Sequence, residues 1–160
     1  MRPLLALAAL VLFGSTAAAQ HQHGKPGSTP EAFTATPAFA PDGALWVVRP
    51  NVDRIVVQRS TDLGKTFGAP VAVTPEPMNL DWGPDARARI VVDPKGQLVV
   101  TFGTFQDKNF NGRAYFARSS DGAIFTKPRP ITSDTTSQRF EVAGVDPDGR
   151  VFAAWLDKRK

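Results

Sequence analysis

The segment that decides the fold is a turn, Ser60-Thr61-Asp62-Leu63-Gly64-Lys65-Thr66-Phe67, which lies between two short apolar runs. The runs are residues 54–59 and 70–74, and both are rich in β-branched side chains. Gly adopts positive φ without strain, and Ser and Asp side chains accept hydrogen bonds from nearby backbone N–H groups. The segment therefore predicts two antiparallel strands joined by a structured turn.

A second, altered copy of the turn follows later in the chain and reads Ser119-Ser120-Asp121-Gly122-Ala123-Ile124-Phe125. It keeps Ser119, Asp121 and the aromatic Phe125. Ala123 stands where the first copy has Gly, and the aromatic residue comes one position earlier. Apolar runs flank this copy as well, so a second strand–turn–strand element is predicted.

A third kind of segment interleaves with these turns and sets the period of the chain. Around Gly43, Gly96 and Gly149, a short apolar run leads into Pro-x-Gly and a second apolar run follows. The spacings are 96 − 43 = 53 and 149 − 96 = 53 residues. Each segment predicts a β-hairpin, and a fixed period of this length indicates a repeat architecture.

Combining the two kinds of element gives units of four short strands, which is the composition of a propeller blade. The units span about residues 33–74, 75–132 and 133–160, and the last one stops after its second strand. The fold prediction is therefore all-β, with about two and a half four-stranded blades. Because propellers close with four to eight blades, we expect an oligomer or further C-terminal blades to complete the ring, and the sequence to be the front part of a longer protein.

The first turn matches the Asp box, S-x-D-x-G-x-T-[FW], at Ser60, Asp62, Gly64, Thr66 and Phe67. On these motifs the chain resembles the sialidase-like (BNR-repeat) β-propellers, which include secreted bacterial exo-alpha-sialidases. The resemblance implies that the Asp boxes are structural, lie between the third and fourth strands of a blade and face away from the substrate site. It also implies a glycosidase that hydrolyses sialylated or similar glycans.

The resemblance implies a catalytic set that this chain does not supply in full. Sialidases clamp the sugar carboxylate with three arginines and use an Asp acid/base with a Tyr–Glu nucleophile pair. The early F/Y-R-I-P motif is absent, because residues 34–39 hold no Arg. The single tyrosine, Tyr115, lies within a predicted strand, where packing explains it. We therefore assign no catalytic residue and expect that the chain alone is not a complete hydrolase.

Candidate ligand-binding residues lie in the connections that join successive units and in those between second and third strands. These connections are longer and more varied than the turns, and binding residues concentrate in such loops. The alternative for each residue is an ordinary solvated loop, with Trp82 as a plug over the interface between units. The candidates are Arg87, Arg139, Asp81, Trp82, Asp85, Asp157 and Arg159.

Two further functions stay open at the level of sequence. One is a non-catalytic propeller that binds glycan or protein through the same loops, and the other is a degenerate structural fragment. No cofactor and no metal site are predicted. The loop Asp107-Lys108-Asn109-Phe110-Asn111-Gly112 lacks the distal Glu of a calcium loop and favours a hairpin turn, while His21 and His23 leave metal binding undecided.

The N-terminus predicts export. Residues 1–19 combine Arg2, an apolar run and a small-residue stretch ending at Ala19, which is typical of a signal peptide cleaved after Ala19. We expect residues 20–32 to form a flexible lead-in. The protein is thus expected in the periplasm or the medium, with a glycan as its candidate partner and no membrane span.

Composition excludes several other classes of site. The chain has 160 residues, 19 basic and 15 acidic side chains, a net charge of +4 and no Cys. It therefore has no disulfide, no Cys-ligated zinc, no thiol nucleophile and no lipidated Cys. The 14 Pro and 13 Gly argue against a helical bundle. A small positive excess without a basic tract, on an exported chain, argues against a nucleic-acid partner.

Overall fold

The structure of the protein is a computed structural model that describes residues 34–158. The predicted signal peptide (1–19), the lead-in (20–32), His21, His23 and Arg159 lie outside the described residues. Eleven strands make up this part of the chain, which holds no α-helix, and every strand pairing in it is antiparallel. The prediction of an all-β fold is confirmed.

The first sheet is a four-stranded meander in the order β1-β2-β3-β4. Its strands are β1 (Thr36–Phe39), β2 (Leu45–Asn51), β3 (Arg54–Ser60) and β4 (Val71–Ala72). The turn between β1 and β2 places Gly43 at a φ of 82°, and the Ala44 N–H donates to Asp42 Oδ1 at 3.0 Å. This is the hairpin that the Pro-x-Gly segment predicts.

The second sheet has five strands arranged around a long central strand. These are β5 (Leu80–Asp81), β6 (Arg89–Val92), β7 (Leu98–Phe105), β8 (Gly112–Ser119) and β9 (Arg129–Pro130). Both β5 and β6 pair with β7, and β8 and β9 continue the sheet on the other side of β7. The turn between β6 and β7 holds Gly96 at a φ of 83°, which confirms the second predicted hairpin.

The third sheet is a single hairpin of β10 (Gln138–Val145) and β11 (Val151–Asp157). Gly149 in its turn has a φ of 82°, so the third predicted hairpin is also present. The three sheets fall within the residue ranges of the three repeat units. No sheet of residues 34–158 closes on itself.

The hydrophobic core lies between the first and second sheets, where alternate side chains of facing strands meet. Trp46 of β2 packs so closely against the second turn that a Cβ on Gly122 would lie 2.0 Å from Trp46 Cη2. Tyr115 packs against this core and stacks on Phe102 with ring centroids 5.9 Å apart, which confirms its packing role. Other buried members are Val48, Ile55, Val57, Val73, Ile90, Val92, Leu98 and Val100.

The third sheet is far more exposed than the other two. The first seven residues of β7 in the second sheet are all buried. In contrast, β11 in the third sheet has no buried residue. Phe152 and Leu156 of β11 are 57% and 67% exposed. The described part of the chain contains no helix long and apolar enough to span a membrane.

Candidate functional site

The first Asp-box turn is held together by hydrogen bonds within its own residues. The Gly64 N–H donates to Ser60 Oγ at 2.8 Å. Asp62 accepts from the Thr66 N–H at 2.9 Å and from Thr66 Oγ1 at 2.6 Å. These bonds, led by that of the Thr66 hydroxyl, lower the pKa of Asp62 to about 2. Both carboxylate oxygens therefore serve the turn.

The second turn also has a Ser hydroxyl and an Asp carboxylate that accept from turn N–H groups, but the donors lie closer in sequence and none is a Thr hydroxyl. The Gly122 N–H donates to Ser119 Oγ at 2.8 Å, and the Ala123 N–H donates to Asp121 Oδ1 at 2.8 Å. Gly122 has a φ of 76°, at the position where the first turn has Leu63 with a φ of 59°. The first turn also has Gly64 at a φ of 86°, whereas Ala123 at the matching position has no positive φ, so the shorter second copy keeps only the first of the two left-handed residues.

The second Asp-box turn and the hairpin turns at Gly43 and Gly96 line a common cleft of about 370 Å³ at one end of the sheets. Asp42, Lys95 and Asp121, from three different turns, contribute to its wall. Asp42 forms an ion pair with Arg59 at 2.7 Å, and the Arg59 guanidinium lies 5.9 Å from the Trp46 ring. The polar side chains at this end therefore mainly hold the turns and the two facing sheets.

The opposite end carries an ion pair between two residues that are far apart in sequence. Arg139, at the start of β10, donates from Nε to Asp81 Oδ2 at 2.6 Å and from Nη2 to Asp81 Oδ1 at 3.0 Å. Asp81 is in β5, and its side chain is 5% exposed, compared with 26% for Arg139. The guanidinium lies 5.0 Å from the Phe105 ring and 4.6 Å from the Phe140 ring. This pair joins the second and third sheets.

A β-bulge in β10 brings a second carboxyl group to the same place. Arg139 pairs with Leu156 and Val142 pairs with Ala154, so Phe140 and Glu141 together face one residue of β11. Phe140 has a φ of 56°, an unusual value for an aromatic residue. Bulges often redirect a side chain. Here Glu141 becomes buried on a strand whose neighbouring positions are exposed.

Glu141 and Asp81 both lie against Gly103 in β7. A Cβ built on Gly103 would be 3.4 Å from Asp81 Cβ and 3.4 Å from Glu141 Oε2. Glu141 is 5% exposed, and its Oε1 has no hydrogen-bond partner among residues 34–158. The charge of Arg89, at the start of β6, also acts on Glu141.

Burial first, and then the charge of Asp81, raise the pKa of Glu141, while its own backbone N–H and Arg89 lower it, and the net pKa is about 7. Near neutral pH the cluster thus combines a carboxyl group that can hold a proton with a carboxylate fixed by Arg139. Such a pair can donate a proton or a hydrogen bond to a ligand oxygen and stabilise positive charge beside it. Among the described residues, no group of three or more His, Asp or Glu side chains is placed to hold a metal ion.

Among the predicted candidates within residues 34–158, the structure brings Asp81 and Arg139 into direct contact. Arg87 lies just before β6 and donates from Nε to the Pro84 carbonyl at 2.9 Å, so it closes its own loop. Trp82 is half-buried against the hydrophobic core, which agrees with the alternative that it is a plug. Asp85 is exposed in the same loop.

Asp157 is half-buried at the end of β11 and accepts a hydrogen bond from Trp155 Nε1 at 3.2 Å.

The candidate loop with Asp107 is a hairpin loop between β7 and β8, as predicted. Asp107 Oδ1 accepts from the backbone N–H groups of Asn109 and Asn111 at 2.9 and 3.2 Å. Within this loop, Phe110 has a positive φ of 58°.

Sequence reasoning missed Glu141 and Arg89. Glu141 stands two residues after Arg139, a spacing that places both on one face of a regular strand, but the bulge changes that geometry. A useful signal was present nonetheless, because Glu141 interrupts an apolar run in a chain with only three Glu residues.

Comparison of the chain with known protein families and with curated proteins finds no match.

Proposed function

We propose that this chain is part of an exported, sialidase-like β-propeller that binds and processes glycans, with its three sheets as successive blades. Two Asp-box turns, in each of which the Ser hydroxyl accepts from a Gly N–H, and three hairpins at equal spacing support the blade assignment. The four-stranded order β1-β2-β3-β4 supports it as well. Completion of the ring by further blades or by other copies belongs to the same proposal.

The glycan site of this proposal is centred on Asp81, Arg139 and Glu141. The observation that carries it is the buried Glu141, whose Oε1 has no hydrogen-bond partner in the described part of the chain, next to the ion-paired Asp81. Glycosidases commonly pair one protonated and one ionised carboxyl group. In this role Glu141 donates a proton or a hydrogen bond to a sugar oxygen, and Arg139 fixes the charge of Asp81.

A second candidate function is glycan binding without hydrolysis. It is favoured by the difference in exposure between the arginine and the two carboxyl groups. Arg139 is 26% exposed, whereas Asp81 and Glu141 are each only 5% exposed. A sugar arriving from solvent meets Arg139 and the rings beside it before it reaches either carboxyl group. Stacking of a sugar on Phe140, which is 37% exposed, then supplies affinity without chemistry.

The experiment combines binding and turnover on one set of variants. Saturation-transfer NMR with a sialylated and a neutral oligosaccharide measures binding, and fluorogenic glycosides of both kinds measure hydrolysis. We expect Arg139→Gln to weaken binding at least about tenfold, which is about 1.4 kcal/mol, and Lys65→Gln, in the first Asp-box turn, to leave it unchanged. Hydrolysis that Glu141→Gln abolishes selects the enzyme, and binding without hydrolysis selects the second candidate. Neither activity in a folded sample refutes the proposal.

A further inference from the structure

Arg89, at the start of β6, is a half-buried arginine whose guanidinium makes no hydrogen bond to a described residue. Its Nε is enclosed by protein, and it forms no ion pair with a carboxylate of residues 34–158. Arginine is seldom buried without a partner, because the charge and its N–H donors lose their hydration. The position of Arg89 therefore needs an explanation other than a local ion pair.

Strand register places Arg89 on the face of the second sheet that is turned towards the third sheet. Arg89 lies opposite Thr101 in the ladder between β6 and β7, so both side chains project from the same face. Thr101 lines a groove together with Val151 and Trp155 of β11, which identifies that face. Arg89 thus points to the junction of the two sheets.

The bulge in β10 brings Glu141 against the same face. Gly103 follows Thr101 by two residues in β7, so the two positions share a face, and a Cβ on Gly103 would lie 3.4 Å from Glu141 Oε2. Glu141 Oε1 is enclosed and, like Arg89 Nε, has no hydrogen-bond partner among the described residues. The two groups therefore occupy one space between the sheets, where charges interact more strongly than in water.

The other charged groups around Glu141 are paired with each other. Asp81 of β5 accepts from Arg139 with both carboxylate oxygens, and Arg139 is on β10 itself. The bulge faces Trp155 of β11, and the residues of β7 on this face are uncharged. Among the described residues, Arg89 is thus the cation that acts on Glu141 without an ion pair of its own.

We propose that Arg89 is a positioning residue for Glu141, which holds the carboxyl group between the two sheets and sets the pH at which it releases its proton. This inference rests on the proposed glycan function, in which Glu141 donates a proton or a hydrogen bond to a sugar oxygen. A proton donor works best when its pKa lies near the working pH. Burial and the charge of Asp81 raise the pKa of Glu141, and Arg89 opposes them. Arg89 therefore keeps the proton transferable near neutral pH.

The test is NMR titration of Glu141 in the purified chain with ¹³C-labelled Glu side chains. Arg89→Met removes the charge and keeps an unbranched side chain of similar reach. We expect the midpoint of Glu141 to rise from near 7 by about one pH unit, which is a tenfold tighter hold on the proton. Arg89→Lys restores the charge and should return the midpoint to near 7. An unmoved midpoint in a folded Arg89→Met sample overturns the proposal.

Arg113 in β8 provides the matched control. It is also half-buried, and its Nε is likewise enclosed without a partner among the described residues. It lies opposite Thr104, three residues after Thr101, so its side chain projects from the other face of the second sheet. Arg113→Met loses the same charge and should leave the Glu141 midpoint unchanged. An equal rise in both variants contradicts a specific role of Arg89.

A measurement on the wild type keeps the proposal testable if Arg89→Met does not fold. The ¹⁵N signal of Arg89 Nε–H, assigned by its loss in Arg89→Lys, should shift with the same midpoint as the Glu141 carboxyl signal. A signal that does not follow Glu141 overturns the proposal.

Hydrolysis of a fluorogenic glycoside separates this inference from the proposed function. If Glu141 donates a proton, the fall of kcat at high pH should move upward in Arg89→Met together with the midpoint. Coupled NMR midpoints without glycan binding or hydrolysis refute the proposed function and leave the role of Arg89 standing. Hydrolysis that depends on Glu141, with a midpoint that ignores Arg89, does the reverse.

Discussion

Replacing Glu141 by Gln makes the protein more stable at high pH and changes little at low pH. The pKa of Glu141 is raised from 4.5 to about 7 in the folded state, mainly because burial disfavours the charged form. The folded state therefore binds a proton that the unfolded state releases between these values. By linkage, wild-type stability falls as the pH rises from 4.5 through 7 and stays low above that window.

The size of the effect follows from the same two values. At 1.36 kcal/mol for each pKa unit, the difference between 4.5 and about 7 corresponds to about 3 kcal/mol of unfolding free energy. Glutamine has the same shape and no charge to desolvate, so Glu141→Gln recovers most of that amount above pH 7. The variant and the wild type converge below pH 4.5, where Glu141 is protonated in both states.

The assay is urea unfolding followed by tryptophan fluorescence across this pH range. Glu76→Gln is the matched control, because Glu76 is exposed in the loop before β5 and loses the same charge. We expect the control to follow the wild type and Glu141→Gln to have a flatter pH profile. Parallel profiles for the wild type and Glu141→Gln would refute the claim that a desolvated carboxyl group occupies this position.

Three other outcomes follow from the turns and the ion pair. Asp62→Asn should lower the melting temperature at neutral pH, with the difference from wild type vanishing as the pH falls from 3.8 toward 2, because a lowered pKa contributes stability only above the unfolded value. Gly122→Ala should cost about 3 kcal/mol in chemical denaturation, since it combines a strained φ with a steric clash, whereas Gly43→Ala, with a similar φ and open space, should cost about 1 kcal/mol. Arg139→Gln should cost about 3 kcal/mol by leaving a buried carboxylate unpaired, and adding Asp81→Asn should restore part of it in a double-mutant cycle. Equal losses for the two glycine variants, or additive effects of the two ion-pair variants, would contradict these explanations.

The fold was largely predictable because its signals are local. A Gly at each hairpin turn and Ser–Asp pairs at each box fix turns through bonds within a few residues, and the structure has φ near 82° at Gly43, Gly96 and Gly149. Alternating apolar runs then define the strands. The sequence did not show that positive φ in the second box falls at Gly122 alone, whereas the longer first box has it at both Leu63 and Gly64.

The candidate site was less predictable because it depends on contacts between distant segments. Asp81 and Arg139 were both candidates, but their ion pair joins residues 58 positions apart. Glu141 was missed because an ordinary alternation places it differently, and only the bulge at Phe140 turns it inward beside Asp81. Bulges of this kind are set by packing between sheets, which a single sequence does not display.

The most direct test of the site is the titration of its carboxyl group by NMR. The chain has only three Glu residues, so selective ¹³C labelling of the Glu side chains gives one carboxyl signal each from Glu31, Glu76 and Glu141. The signal that disappears in the Glu141→Gln variant is the carboxyl signal of Glu141. A midpoint near 7 for that signal is the predicted result, and a midpoint near 4.5 would contradict a buried, proton-holding Glu141 beside Asp81.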